Sequence, residues 1–270
     1  MSQMLRETGL PSAPQEDAYA LVMEHYRASP REQARFSDLM RLIPSGLHSA
    51  LDIGARDGYM SKALAGKVDR VTALDLDKPS FTAPRVTCVQ GDATALQFPD
   101  RHFDLVFCAE VLEHIPTRLL DKACAELSRV AGQYVLIGVP YKQDIRKDQT
   151  TCYHCGAVNP PWAHVNSFDE RRLQALFPQL EVQKITYVET AGPDTNGLSA
   201  ALMNFAGNPY GTYGQEEPCI HCGHKLTPPP PRNLAQKVAT KGAVWLNRMQ
   251  DVVTPRHANW VHILFRQPKR

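Results

Sequence analysis

The chain has 270 residues, 43% of them apolar, which is enough for a real core in one large α/β domain or in a domain with a substantial insertion. Thirty Lys and Arg against 28 Asp and Glu leave a formal charge of +2, which disfavours nucleic acid as a partner and favours small or neutral ones. No apolar run is long enough to span a bilayer and the polar start, Met1 to Gln15, has no signal-peptide pattern, so cytoplasmic residence is expected and the seven Cys read as metal ligands or buried thiols rather than disulfides.

Glu16 to Leu42 carries apolar residues at helical spacing, interrupted at Ser29-Pro30, which predicts two leading helices. From Ser49 short apolar runs alternate with amphipathic segments. Strands are predicted at Ala50 to Ile53, Val71 to Asp75, Val86 to Gln90, Phe103 to Ala109 and Gln133 to Val139, with helices near Tyr59 to Ala65 and Thr117 to Arg129. This alternation means a doubly wound, Rossmann-like α/β sheet. The pattern breaks from Tyr141 to Asn166, then resumes with a helix at Phe168 to Phe177 and a strand at Glu181 to Glu189. A second irregular stretch, Ala191 to Arg232, ends in the extended Pro228 to Pro231 run. A helix from Leu234 to Val252 and a strand from Asn259 to Arg266 bring the strand count to seven. The expected organisation is leading helices at 1–45 forming a lid or substrate-binding part, a cofactor-binding core at 46–140, inserts at 141–166 and 191–232, and completion of the sheet by 167–190 and 233–270.

Leu51-Asp52-Ile53-Gly54-Ala55-Arg56-Asp57-Gly58 lies at the first strand-to-helix turn, where doubly wound folds bind nucleotides. A dinucleotide fingerprint needs Gly-x-Gly-x-x-Gly to admit a pyrophosphate, and only Gly54 and Gly58 are present. Asp52 would repel phosphate but suits the amino group of an amino-acid-like ligand. Asp75, 21 positions after Gly54, stands where a carboxylate accepts hydrogen bonds from both ribose hydroxyls. Gly91-Asp92-Ala93 ends the third strand with a carboxylate suited to an adenine amine. Three acidic strand ends without a phosphate cradle describe an adenosine carrying a methionine.

At Leu51 to Gly58, Leu74 to Asp77, Gln90 to Leu96 and Phe98 to Val106 running on to Glu110-Val111-Leu112-Glu113-His114-Ile115, the sequence resembles the class I S-adenosylmethionine-dependent methyltransferases, particularly the ubiquinone- and menaquinone-biosynthesis branch. The resemblance covers Ala50 to about Pro140. It implies that Asp52, Gly54, Ala55 and Gly58 hold the methionine part, Asp75 with Leu76 the ribose, Gly91, Asp92 and Ala93 the adenine side, and Ala109 and Glu110 the face beside the sulfonium. It also implies an antiparallel last strand. Where the family usually has Gly, this chain has Arg56, which must point outward or touch the methionine carboxylate.

Cys152-Tyr-His-Cys155-Gly156 and Cys219-Ile-His-Cys222-Gly223 are near-identical knuckles, and four thiolates in two such pairs match a closed, structural zinc site that would pin the two irregular stretches. Nearby His154, His221 and His224 are spare ligands, whereas Cys88, Cys108 and Cys124 sit in strand or helix patterns and read as buried.

Transfer of a methyl group to a hydroxyl or amine needs alignment and a base. His114, following Glu110 and Glu113 after the fourth strand, and His164, leading into the next helix, are the candidates, each equally well read as a capping or packing residue. In some quinone O-methyltransferases that the Glu110 to His114 stretch resembles, the cluster serves a divalent cation. Asn159-Pro160-Pro161-Trp162 imitates a nucleobase-amine signature but follows a knuckle rather than the fourth strand, so it reads as a rigid turn. The leading expectation is methyl transfer to a hydroxyl, less readily an amine, of a small molecule such as a sugar or glycan, lipid or secondary metabolite. The rivals are an RNA-modifying enzyme that grips nucleic acid with the zinc unit and a non-catalytic zinc-bearing scaffold.

Overall fold

The computed structural model describes residues 23–268, so the portion of the first predicted helix before residue 23 lies outside them. Residues 23–28 are helical and Ser29 breaks the helix. The Ser29 hydroxyl then accepts the Glu32 amide at 3.3 Å, and Pro30, whose missing N–H costs nothing at a first helical position, opens α1 (Pro30–Leu42). The chain forms two compact units, residues 34–142, 166–190 and 258–268 in one and 23–33, 143–165 and 191–257 in the other.

The first unit is a seven-stranded sheet. Its strands are β1 (Ser49–Ile53), β2 (Arg70–Asp75), β3 (Val86–Gln90), β4 (Phe103–Ala109), β5 (Ala131–Pro140), β8 (Glu181–Thr190) and β9 (Ala258–Arg266), in the order β3-β2-β1-β4-β5-β9-β8. β1 to β5 are parallel, and β9 runs antiparallel to both β5 and β8. All five β1 side chains are buried, the mark of a strand covered on both faces. Alternate residues feed two cores. Leu51, Ile53, Val106, Val135, Ile137 and Ile263 pack beneath α3 (Thr117–Val130) and α4 (Glu170–Leu176). Ala50, Leu105, Phe107, Leu136 and Leu264 pack with α1 and α2 (Tyr59–Leu64). In α3, Leu120, Ala123, Cys124, Leu127 and Val130 recur at helical spacing and are all buried, so one apolar stripe fixes its roll on the sheet.

The second unit holds the short hairpin β6 (Thr150–Thr151) and β7 (Val158–Asn159), a 3₁₀ turn at Pro161–Ala163, α5 (Gly197–Phe205) and α6 (Leu234–Val253). α5 falls inside the stretch predicted to be irregular. Asn196 caps it by accepting the Ser199 amide, and the Ser199 hydroxyl donates to Ala243 O of α6 at 3.2 Å. Asn233 and Gln236 form a reciprocal capping box at the start of α6.

A buried polar knot ties α1 to the antiparallel strands. Asp38 on α1 accepts from His262 Nδ1 at 2.7 Å and from the Thr186 hydroxyl at 2.5 Å, and it pairs with Arg41. Burial opposes its charge, yet hydrogen bonds from His262, Thr186 and Arg41 hold the carboxyl well below the usual carboxylate range. Its stabilisation is therefore present above the ordinary carboxylate range and is lost as pH falls through the lowered pKa. Asp38→Ala leaves the buried His262 and the half-buried Thr186 donors without their acceptor. Urea unfolding at neutral pH should show a loss of about 2–4 kcal/mol.

Candidate functional site

The parallel strands end along one edge, and the loops that leave β1, β2, β3 and β4 there carry the predicted residues. Asp52 is buried near the end of β1 and accepts the Ser61 hydroxyl of α2 at 2.5 Å. Burial, helped by the charge of Asp75, raises its carboxyl to about 7 even though the Ser61 bond pulls the other way. Gly54 and Gly58 have φ of +76° and +79°, where an L side chain is strained, and a Cβ on Gly54 would lie 2.4 Å from Val111 Cγ2. Ala55 is buried, and the Gly54 and Ala55 amides both donate to Leu74 O, fastening the turn to β2.

Arg56 has φ of +44°, which is the reason a Gly is comfortable at this position. Its side chain is exposed; its backbone amide donates to Asp75 Oδ2 at 2.9 Å, while the Leu76 amide donates to Asp75 Oδ1 at 2.7 Å. Two amides thus aim the Asp75 carboxylate, and each oxygen keeps a lone pair for a further donor, as a ribose diol requires. Leu76 itself is exposed. Gly91 sits against Leu74, with a Cβ position 2.7 Å from Leu74 Cδ1, followed by Asp92 and the half-buried Ala93. Asp92 Oδ1 accepts the Thr94 amide at 2.8 Å, which orients the carboxylate at the end of β3.

At the end of β4, Ala109 leads into Glu110, whose φ of +58° turns the chain sharply. Arg35 of α1 approaches the Glu110 carboxylate at 3.9 Å and lies over the Trp260 ring. Glu113 is wholly buried, and among the described residues neither of its oxygens finds a hydrogen-bond partner. Burial, with the Glu110 charge adding to it, pushes its carboxyl well above the usual range. His114 reaches solvent, yet the protein mass around its ring, together with Arg56, lowers its pKa to about 4, so the imidazole is neutral at physiological pH. Asn166 clamps this turn, donating from Nδ2 to Leu112 O at 3.1 Å and Ile115 O at 2.6 Å. Neither Arg35 nor Asn166 is legible as a site residue in the sequence, because each reaches its partners from a distant element.

His164 belongs to the other unit, where its Nδ1 lies 2.6 Å from Gln143 Oε1. That unit also assembles the four thiols. Cys152, Cys155, Cys219 and Cys222 have all four sulfurs within 4.8 Å of one another, with Cys152 to Cys222 and Cys155 to Cys219 both at 3.7 Å. Four sulfurs held about 2.3 Å from one tetrahedral ion stand roughly 3.8 Å apart, so the donor set fits zinc. The Gly156 and Gly223 amides close the knuckles onto Cys152 O and Cys219 O, each Gly at a φ above +70°. Burial would raise the Cys219 thiol, but the amides of His221 and Cys222 bring it down; the His224 amide would lower Cys222, yet burial and the neighbouring thiols push it up. His154 and His224 stack on each other beside the cluster, at 3.3 Å between centroids. Asn159 of the Asn-Pro-Pro-Trp tetrapeptide is buried and accepts the Ile220 amide at 2.9 Å, so it braces the second knuckle. Trp162 follows in a left-handed turn.

Residues 51–134 match the family model described as a methyltransferase domain. Those residues, under a third of the chain, carry the acidic ends of β1, β2 and β3, and over them the chain is similar to methyltransferase domains. Similar chains include ubiquinone biosynthesis O-methyltransferases from Aromatoleum aromaticum, 34% identical over 94 residues, and from Idiomarina loihiensis, 33% identical over 95. Each alignment covers 31% of this chain, and they take in only 40% and 39% of those enzymes. The fold is shared with the N-methyltransferase NodS of Bradyrhizobium japonicum in complex with S-adenosylhomocysteine, at a TM-score of 0.51 and 14% identity over 99% of this chain and 98% of that one.

The Asp52 environment makes a prediction independent of any ligand. The folded chain keeps this proton up to about pH 7, whereas an exposed Asp releases it near 3.8. Stability from the protonated carboxyl is therefore full below the ordinary range and is lost as pH rises through about 7. Asp52→Asn, which cannot ionise, should gain on the parent chain as pH rises from about 5 to about 8, by up to ~2–4 kcal/mol in urea titrations. A pH-independent difference would refute the buried, protonated state.

Proposed function

We propose that the protein transfers a methyl group from S-adenosylmethionine to a hydroxyl, less readily an amine, of a small acceptor such as a sugar or glycan, a lipid or a secondary metabolite. The observation that carries this reading is the ordered set Asp52, Asp75 and Asp92 at the ends of β1, β2 and β3, with no phosphate-binding turn among them. Bound there, S-adenosylmethionine supplies an electrophilic methyl group. Asp75, held by the Arg56 and Leu76 amides, takes the ribose diol; Asp52 and the Gly54 to Gly58 turn take the amino-acid end; Gly91, Asp92 and Ala93 take the base. Ala109 and Glu110 border the reacting centre. Its likeness to O-methyltransferases over the cofactor region supports oxygen as the acceptor atom. A neutral His114 at physiological pH suits proton removal from a hydroxyl, and His164, with Nδ1 engaged by Gln143, offers a second base. Glu110, with Arg35 close by, and the buried carboxyl of Glu113 border this chemistry.

In the same reading residues 46–140 are the cofactor-binding part, residues up to 45 bear on the acceptor, and the inserts 141–166 and 191–232 carry acceptor selectivity. Cys152, Cys155, Cys219 and Cys222 hold a structural zinc that stiffens these inserts, and four reduced thiols accord with a cytoplasmic setting.

Calorimetry should show S-adenosylmethionine binding that weakens by roughly 10–100-fold in Asp75→Ala, the loss expected for two hydrogen bonds to a charged acceptor. Absence of binding to the parent chain would end the reading. Metal analysis should find one zinc per chain, lost in Cys152→Ser and in Cys219→Ser. Chelation should lower the melting temperature of the parent chain without affecting that of either variant.

A further inference from the structure

α6 is 20 residues long, about 30 Å of helix, and buries Thr240 and Ala243. Its opposite side remains open. Leu234 is 78% exposed, Val238 61%, Trp245 61%, Met249 55% and Val252 83%. At 100° per residue these five side chains fall within about 60° of arc. Lys237, Lys241 and Arg248, all exposed, fall within about 40° of arc directly beside them. The helix has one acid, Asp251, and it pairs with Arg256. α5, packed on α6 through the Ser199 to Ala243 bond, has no charged residue and exposes Leu198, Ala201 and Phe205 at helical spacing.

We infer that α6 is a membrane-surface anchor that lies flat on anionic lipid, its apolar arc sunk among the acyl chains and its three cations at the phosphate level. Apolar side chains with a Trp on one arc and only cations on the adjoining arc are what the headgroup boundary of an anionic bilayer complements. A second copy of the chain is a poorer occupant, since two such faces would bring six cations together. Among the described residues no helix is long and apolar enough to cross a membrane, so the contact is interfacial.

The test is co-sedimentation of the full chain with vesicles of phosphatidylcholine alone or with about one-third phosphatidylglycerol. Binding is expected to the anionic vesicles and to fall steeply with salt. It should weaken roughly fivefold for each of Lys237→Glu, Lys241→Glu and Arg248→Glu, and at least that much for Trp245→Ser. All four positions are exposed, and unchanged circular dichroism checks that the fold persists. No binding above the level of protein without vesicles overturns the inference, and so does binding indifferent to these variants. Self-association of the parent chain in sedimentation velocity, abolished by Trp245→Ser, overturns it in favour of a second copy. The measurement needs neither S-adenosylmethionine nor turnover, so its outcome is separate from the proposed activity.

Discussion

β1 is hydrogen-bonded in parallel to β2 on one side and to β4 on the other, and this one central placement organises the candidate site. Chain order runs outward in both directions from it, so the loops leaving β1 and β4 diverge and open a crevice at the strand ends. The crevice needs the two loops to approach closely, and Gly54 lets the Val111 side chain come up against its backbone. It also needs carboxylates whose positions do not drift. The Arg56 and Leu76 amides fix Asp75, the Ser61 hydroxyl fixes Asp52 and the Thr94 amide fixes Asp92, so each acid is held from the turns and helix that follow the strand ends.

The sheet was legible because burial on both faces forces continuous apolar runs. β1, β2 and β4 start and stop within one residue of the predicted limits, and α3 shows its stripe in Leu120, Cys124 and Leu127. α5 was hidden for the converse reason: nine uncharged residues between Asn196 and Ala206 give no contrast between faces, and only the Asn196 cap marks its start. β6 and β7, at two residues each, are too short for any period to register. Within the site, the acids and glycines could be named in advance because their chemistry is local. The Arg35 approach to Glu110, the Asn166 clamp and the Asp38 knot could not, since each joins side chains from separate elements through contacts that leave no spacing signal.

The second unit has a different problem. Its buried cluster consists of Cys152, Cys219 and Leu226 with Tyr213 and Cys222 packed alongside, too little apolar surface to order two long loops. Tyr213 and Tyr153 add hydrogen bonds to Gly207 O, and Asn159 braces Ile220, but these fasten the loops locally. Four sulfurs converging from segments more than sixty residues apart supply what the core lacks, because a bound ion would return its coordination energy as folding energy. The same scarcity of core leaves α5 and α6 with apolar side chains facing outward.

The acids around β1 and β4 also share one electrostatic character. Burial raises the carboxyl pKa of both Asp52 and Glu113, and Glu110 has Arg35 close by. A carboxyl kept neutral by desolvation costs less to bury than an ion and can still meet an incoming positive charge by releasing its proton. A cationic ligand entering beside Asp52 would lower that carboxyl's pKa, and binding would then be linked to proton release near neutrality. A neutral or anionic ligand gains nothing from that proton, so the buried acid discriminates by charge before any shape is tested. In the proposed reading the Gly54 to Gly58 turn and its buried Asp52 would favour a cation at the place where a dinucleotide turn takes a phosphate.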